Sequence, residues 1–206
     1  MTPKPTKGER TRRRIVERAA PVFNTRGYFG SSVGALARAS GLKKGGVYNH
    51  FSGKEELALE TFDYAAALIR ERFRAAMEEQ EGALNRLFAI VDVFGALVDD
   101  PPVAGGCPVL NTAVESDDAH PVLKERAKEA MDGWLRLIGR LVKEGVARGE
   151  IRSDADPRRA ASVVVATLEG ALMLARLHDD PAHMQRTVAH LKDHLETLAE
   201  PGGSEA

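Results

Sequence analysis

Apolar residues recur along most of this chain at intervals of three, four and seven, the signature of helices with one buried face. Ile15, Ala19, Val22 and Phe23 predict a helix from about Glu9 to Thr25, stopped by Gly27 and bridged onward by Tyr28-Phe29-Gly30. Val33, Leu36 and Ala37 form a shorter stripe that Ser31 or Ser32 can cap, and Leu42, Val47 and Phe51 form a third. Leu57, Phe62, Ala65, Ile69 and Phe73 predict a long helix over 52–79, with Ser52 as cap and Glu55 as its capping-box partner. Further stripes follow. Leu84, Leu87, Phe88, Val91 and Phe94 mark one, and a short helix opens at Pro108 and ends near Glu115 or Ser116. Leu123 to Leu141 mark a long one that Gly149 stops, and Ala161, Val165, Leu168, Leu172 and Ala175 mark another over 157–178. Met184, Val188, Leu191, Leu195 and Leu198 then repeat four and three apart over 181–199, a coiled-coil-like seam. The expected fold is all-α with about nine helices.

The formal net charge of −1 hides an asymmetry. Residues 1–54 hold 12 Lys and Arg against Glu9 and Glu17, whereas residues 55–206 hold 17 against 28 Asp and Glu. A basic first quarter ahead of an acidic remainder suggests that one end faces phosphate and the rest is kept off it. Residues 1–8, with Pro3, Pro5 and Gly8, read as a basic arm in which Lys4, Lys7 and Arg10 can reach flanking phosphates. The hydrophobic share of 43% and charged share of 29% are ordinary for a globular protein. No run of 18 apolar residues is present and the basic N-terminus lacks an apolar signal core, so no membrane partner and a cytoplasmic location are expected. One cysteine rules out an internal disulfide.

The basic quarter contains the stretch on which the reading turns. Between Ser31 and Lys54 two short helical pieces flank Ser40-Gly41-Leu42, and Gly41 stands where the chain reverses and positive φ is wanted. The outer side of the second piece carries Lys43, Lys44, Gly45, Gly46, Tyr48, Asn49 and His50. That is the layout of a helix-turn-helix entering a major groove. The run Gly41-Leu42-Lys43-Lys44-Gly45-Gly46-Val47-Tyr48-Asn49-His50-Phe51, followed by Lys54-Glu55-Glu56-Leu57, resembles the N-terminal domain of TetR-family transcriptional regulators. Upstream, Ile15, Ala19, Phe23, Gly27, Tyr28 and Val33 stand where that family places core and turn positions. Gly46 departs from the pattern, since many members carry a small hydroxyl residue there. The resemblance implies that Tyr48, His50 and Lys54 hold phosphates of double-stranded operator DNA. Lys43, Lys44 and Asn49 have the chemistry to reach base edges or adjoining phosphates, and Ser32, Gly45 and Gly46 complete the candidate surface. The expected division is 1–52 as DNA-binding domain, 53–200 as helical body and 201–206 as a disordered tail.

For the body, the resemblance implies a cavity for a small-molecule effector and a homodimer formed by the last two long helices, about 157–178 and 181–199. Phe88, Val91, Phe94, Leu110, Trp134, Ile138 and Met173 are candidates for the cavity lining, with Asn111 and Glu115, four apart, as polar fixers. Packing of this chain's own core explains the same apolar residues. Cys107, at the mouth of the short helix, is a candidate thiol switch or a small buried residue. His183, His190 and His194 share a helix face but complete no zinc pattern, so no metal and no cofactor is expected. No phosphate-binding glycine loop or nucleophile elbow is present, and the chain reads as no enzyme. The expected function is an effector-released, homodimeric repressor; a thiol-sensing regulator and a ligand-free DNA-binding regulator are the alternatives.

Overall fold

A computed structural model describes residues 4–200, so the tail expected at 201–206 and the first three residues of the basic arm lie outside the described residues. Among the described residues there are nine α-helices and no β-strand. They are α1 (Lys7–Gly30), α2 (Val33–Ala39), α3 (Lys44–Tyr48), α4 (Lys54–Glu78), α5 (Ala83–Ala96), α6 (Pro108–Ser116), α7 (Pro121–Ala147), α8 (Pro157–Leu177) and α9 (Ala182–Glu196). One isolated antiparallel bridge pairs Ile151 with Ala199.

By contact the chain forms two compact units, Met1–Leu68 with Pro102–Ala127, and Ile69–Pro101 with Lys128–Ala206. The first unit therefore extends past residue 52 and takes in the start of α4, all of α6 and the start of α7. Its core is Ile15, Val16, Ala19, Leu36, Ala37, Val47, Phe51 and Leu57, with Val22, Phe23, Leu42 and Tyr64 packed against it.

Helix α1 starts earlier than expected because Thr6 caps it. The Thr6 hydroxyl accepts from the Glu9 N–H at 3.2 Å, and the Glu9 carboxylate accepts from the Thr6 N–H at 2.6 Å. Lys7 and Gly8 are thus helical rather than part of an arm. The helix breaks at Gly27, whose φ of 72° and ψ of 175° suit glycine. At α4 the cap differs from the expected one. Glu56, not Glu55, accepts from the Ser52 N–H (2.6 Å) and hydroxyl (2.7 Å), and the helix begins at Lys54.

In the second unit α5, α8 and α9 pack on one another. Phe73, Phe94 and Trp134 form a mutually contacting aromatic trio, with ring centroids 5.3–5.8 Å apart. Met184, Leu191, Leu195 and Leu198 of the coiled-coil-like seam are buried within the subunit, and Val188 is half-buried. That seam closes the chain's own core.

Helix α8 is long and apolar enough, at a mean hydropathy of 1.6, to cross a membrane by composition, although charged and polar residues interrupt its apolar run. Half of that window is buried within the protein, as in a core helix. Its inner face includes Ala161, Val164, Val165, Leu168 and Leu172. Its outer face leaves Val163, Met173, Leu174 and Leu177 exposed.

Phe94 is fully buried and touches both other rings of the trio, so its truncation leaves a cavity that the two neighbouring rings cannot fill. Phe94→Ala is expected to lower unfolding free energy by about 3–5 kcal/mol, read from urea denaturation. A loss under about 1 kcal/mol would mean that the trio is loosely packed.

Candidate nucleic-acid interface

The helix-turn-helix is built from short pieces that depend on one another. Ser32 caps α2, its hydroxyl accepting from the Ala35 N–H at 3.2 Å. Ser31, the other candidate cap, is buried instead, and its hydroxyl donates to the Gly27 carbonyl at 2.6 Å. The reversal falls at Gly41 with φ of 69°, and the Leu42 N–H donates back to the Ala37 carbonyl at 2.9 Å. Helix α3 spans only five residues and is held by Val47 and Phe51, both 2% exposed. Its outward side presents Lys43, Lys44, Gly45, Tyr48 and Asn49 exposed, with Gly46 and His50 half-buried. A side chain at Gly46 would meet Leu42 at 3.4 Å or more, so the departure from the family pattern is not forced by crowding.

Two cations are engaged inside the head. Arg12 lies off the apolar stripe of α1 and yet faces inward. Its guanidinium donates to the His50 carbonyl and to the Glu56 and Glu60 carboxylates, with Nε 3.1 Å from Glu60 Oε2, and it sits 4.1 Å over the Phe51 ring. Hydrogen bonding to Glu60, and then to Glu56, raises its pKa above the ordinary value. Lys54 is half-buried, with its ammonium 4.2 Å over the Tyr28 ring, and burial lowers its pKa while Glu115 opposes that shift.

The first unit also shows what α6 does. The Glu115 carboxylate accepts from the Tyr28 N–H at 2.7 Å and the Phe29 N–H at 3.0 Å, the two amides freed by the break at Gly27. A β-carbon at Gly27 would collide with that carboxylate. Asn111 donates to the Asn24 carbonyl (3.1 Å), the Asn24 side-chain oxygen (3.0 Å) and the Gly105 carbonyl (2.8 Å). Asn24 in turn donates to the Ala104 and Gly106 carbonyls. His120 accepts from the Leu123 N–H through Nδ1, packs 4.6 Å from the Tyr28 ring and places Nε2 3.3 Å from Glu55. Asn111 and Glu115, expected as polar fixers of a cavity, are therefore engaged in tying α6 to the end of α1.

The other expected lining residues separate. Val91, Phe94, Trp134 and Ile138 are buried in the second unit, Phe88 is half-buried there, and Leu110 is half-buried in the first. Met173 is 53% exposed, because the buried face of α8 at Leu168, Leu172 and Ala175 turns it outward. Cys107 is 1% exposed and its sulfur accepts from the Leu110 N–H at 3.5 Å, so it caps α6 from the interior. His183 lies 5.3 Å from His178, and among the described residues no trio of His, Cys, Asp or Glu is placed to hold a metal.

A helix-turn-helix head that is basic in sequence and joined to an all-helical body defines a DNA-binding transcriptional regulator. Residues 15–61 match the family described as bacterial regulatory proteins, tetR family, and residues 83–191 match the tetracyclin repressor-like C-terminal domain. A crystal structure of a TetR transcriptional regulator from Chloroflexus aurantiacus superposes with a TM-score of 0.91 at 44% identity, covering 94% of this chain and 98% of that one. A TetR-family regulator from Cytophaga hutchinsonii gives 0.88 at 31% identity, covering 96% and 98%. An uncharacterized HTH-type transcriptional regulator of Mycobacterium tuberculosis is 31% identical over 82% of this chain and 86% of its own length. The chain belongs to the TetR family.

Two measurements follow from this geometry. Tyr48→Ala and Lys44→Ala are each expected to weaken binding to operator duplex in a gel shift by about 1–3 kcal/mol, with the fold unchanged by circular dichroism. Unchanged affinity in both would remove α3 from the interface. The Ser52 amide, then Arg12 and the Ser52 hydroxyl, hold the Glu56 carboxyl at about 2 against an ordinary 4.5. Because the folded value is the lower one, this stabilisation is complete above the ordinary value and is lost as pH falls toward the folded one. The urea midpoint should drop between pH 4.5 and 2, and Glu56→Gln should flatten that part of the curve.

Proposed function

We propose that this regulator is a homodimeric repressor that leaves its operator when a small, largely apolar effector enters the helical body. The observation that carries the reading is the attachment of α6 to the head. Glu115 binds the Tyr28 and Phe29 amides and Asn111 the Asn24 carbonyl at the end of α1, a helix separated from α2 by only Ser31 and Ser32, so displacement of α6 is passed toward the recognition segment. An effector acts by binding better when the paired heads no longer fit successive major grooves about 34–36 Å apart. Lys43, Lys44, Tyr48, Asn49 and His50 meet the duplex, with Ser32 and the α3 glycines allowing close approach. The long helix α4 acts beside α6 as a second lever.

Two relatives support the regulatory and ligand-responsive parts. An HTH-type transcriptional repressor, DhaR, of a Mycobacterium species is 25% identical over 81% of this chain. The A-factor receptor protein of Streptomyces griseus is 27% identical over 97% of it. The burial of Cys107 speaks against a thiol sensor, since oxidants need access to the sulfur. Such a regulator works in the cytoplasm.

For the dimer, α8 supplies the apolar contact. Val163, Met173, Leu174 and Leu177 recur along one outward stripe, and Leu177 is 71% exposed. α9 contributes its polar outer side, because its apolar seam is already used inside the subunit. A two-fold pairing of α8 buries this stripe and gives the two-headed arrangement that a palindromic site requires.

Replacing Met173 and Leu177 by Glu together is expected to turn a dimer into a monomer by light scattering and to cost at least tenfold in operator affinity. A double variant that stays dimeric would place the interface elsewhere. Selection of genomic fragments, followed by titration with small molecules suggested by the neighbouring genes, tests the effector; compounds that bind without changing operator affinity would argue for the ligand-free alternative.

A further inference from the structure

The second unit holds a groove of about 470 Å³ between α7 and the first turns of α8 that the regulatory reading does not use. Arg136, Arg140 and Lys143 stand at i, i+4 and i+7 on α7, and therefore on one face. Arg158 faces them from α8, and Leu135, Pro157 and Ala161 supply apolar surface between the cations. The grouping runs against its surroundings, because residues 55–206 carry an excess of acidic side chains.

Several arginines elsewhere in this unit have carboxylates beside them. Arg72 has Asp100 at 3.0 Å, Arg152 has Asp154 at 3.0 Å, and Arg74 and Arg148 are paired as well. Among the described residues, none of the four groove cations has a carboxylate within 4.0 Å. Four like charges around one cleft repel one another, and an anion seated among them relieves that repulsion. The Asp156 carboxylate already caps the first N–H groups of α8, so the charge for such an anion comes from the side chains.

We infer that the α7–α8 groove binds a small amphipathic anion, an organic phosphate or carboxylate. Its charged group is held by Arg136, Arg140, Lys143 and Arg158, and its apolar part lies on Leu135 and Ala161. The volume lies within the range of small-molecule sites, and guanidinium pairs are suited to bidentate capture of phosphate or carboxylate. The site is separate from the buried aromatic trio and from the exposed stripe of α8, so one protein can answer a charged ligand as well as an apolar one.

Titration calorimetry on the full chain, with decyl phosphate, decanoate, inorganic phosphate and decanol as probes, tests this. Decyl phosphate, decanoate or both should bind, at least tenfold more tightly than inorganic phosphate, and decanol should not compete. Arg136→Gln with Arg140→Gln should weaken that binding tenfold or more, and raising the salt concentration should weaken it in the native chain. Equal binding to the double variant, or none to the native chain, overturns the proposal. A change in oligomeric state in the double variant assigns the groove to a second copy of the chain, and a fall in operator affinity assigns it to DNA phosphates; either outcome also overturns it. All four readings are independent of whether an apolar effector releases the operator.

Discussion

The seat of α3 depends on one guanidinium. A five-residue helix has too few internal hydrogen bonds to persist alone, so α3 takes its orientation from what it packs against. Val47 and Phe51 anchor its inner side, but apolar contacts are tolerant of small rotations. Arg12 is not. It joins the carbonyl at the end of the recognition segment to two carboxylates of α4 while lying flat over Phe51, and so fixes three helices at one point. Charge-assisted bonds of this kind are directional, and so they fix the orientation of the segment more tightly than apolar contacts do.

Helical periodicity in the sequence places the nine helices of the described residues and the turn at Gly41, because each stripe is buried on one side and the breakers stand where the chain turns. Side-chain caps were less legible. Thr6 and Glu9 have the spacing of a capping box and were hidden by nearby prolines and glycine that suggested an arm. For Ser52 the usual three-residue offset points to Glu55, whereas Glu56 is the residue that reaches it. Nothing local in the sequence around Arg12 reveals that Glu56 and Glu60, one turn apart on a distant helix, approach it. Asn111 and Glu115, four apart on a short helix, have the look of polar groups within a cavity. The groups they meet at the end of α1 lie some 86 or 87 residues away, and periodicity carries no information about those.

The body shows how one helix can have two apolar faces for different reasons. Along α8 the inner face meets α5 and α9, while the outer face is left uncovered in the single chain. A sequence stripe cannot tell these apart, and the same ambiguity made Met173 look internal. In α9 the ambiguity ran the other way, and a seam that resembles an intersubunit contact closes the subunit itself.

The seat of Lys54 over Tyr28 has one further consequence. An ammonium resting on a ring at 4.2 Å is already partly solvated by the aromatic face, so any anion that recruits it must first draw it away, at a cost of about 0.5–1 kcal/mol. Tyr28 is also the residue whose amide Glu115 holds. Departure of the lysine uncovers a ring adjoining that latch, and its return re-covers it, so occupancy at the surface and the packing beneath it are linked through a single aromatic side chain.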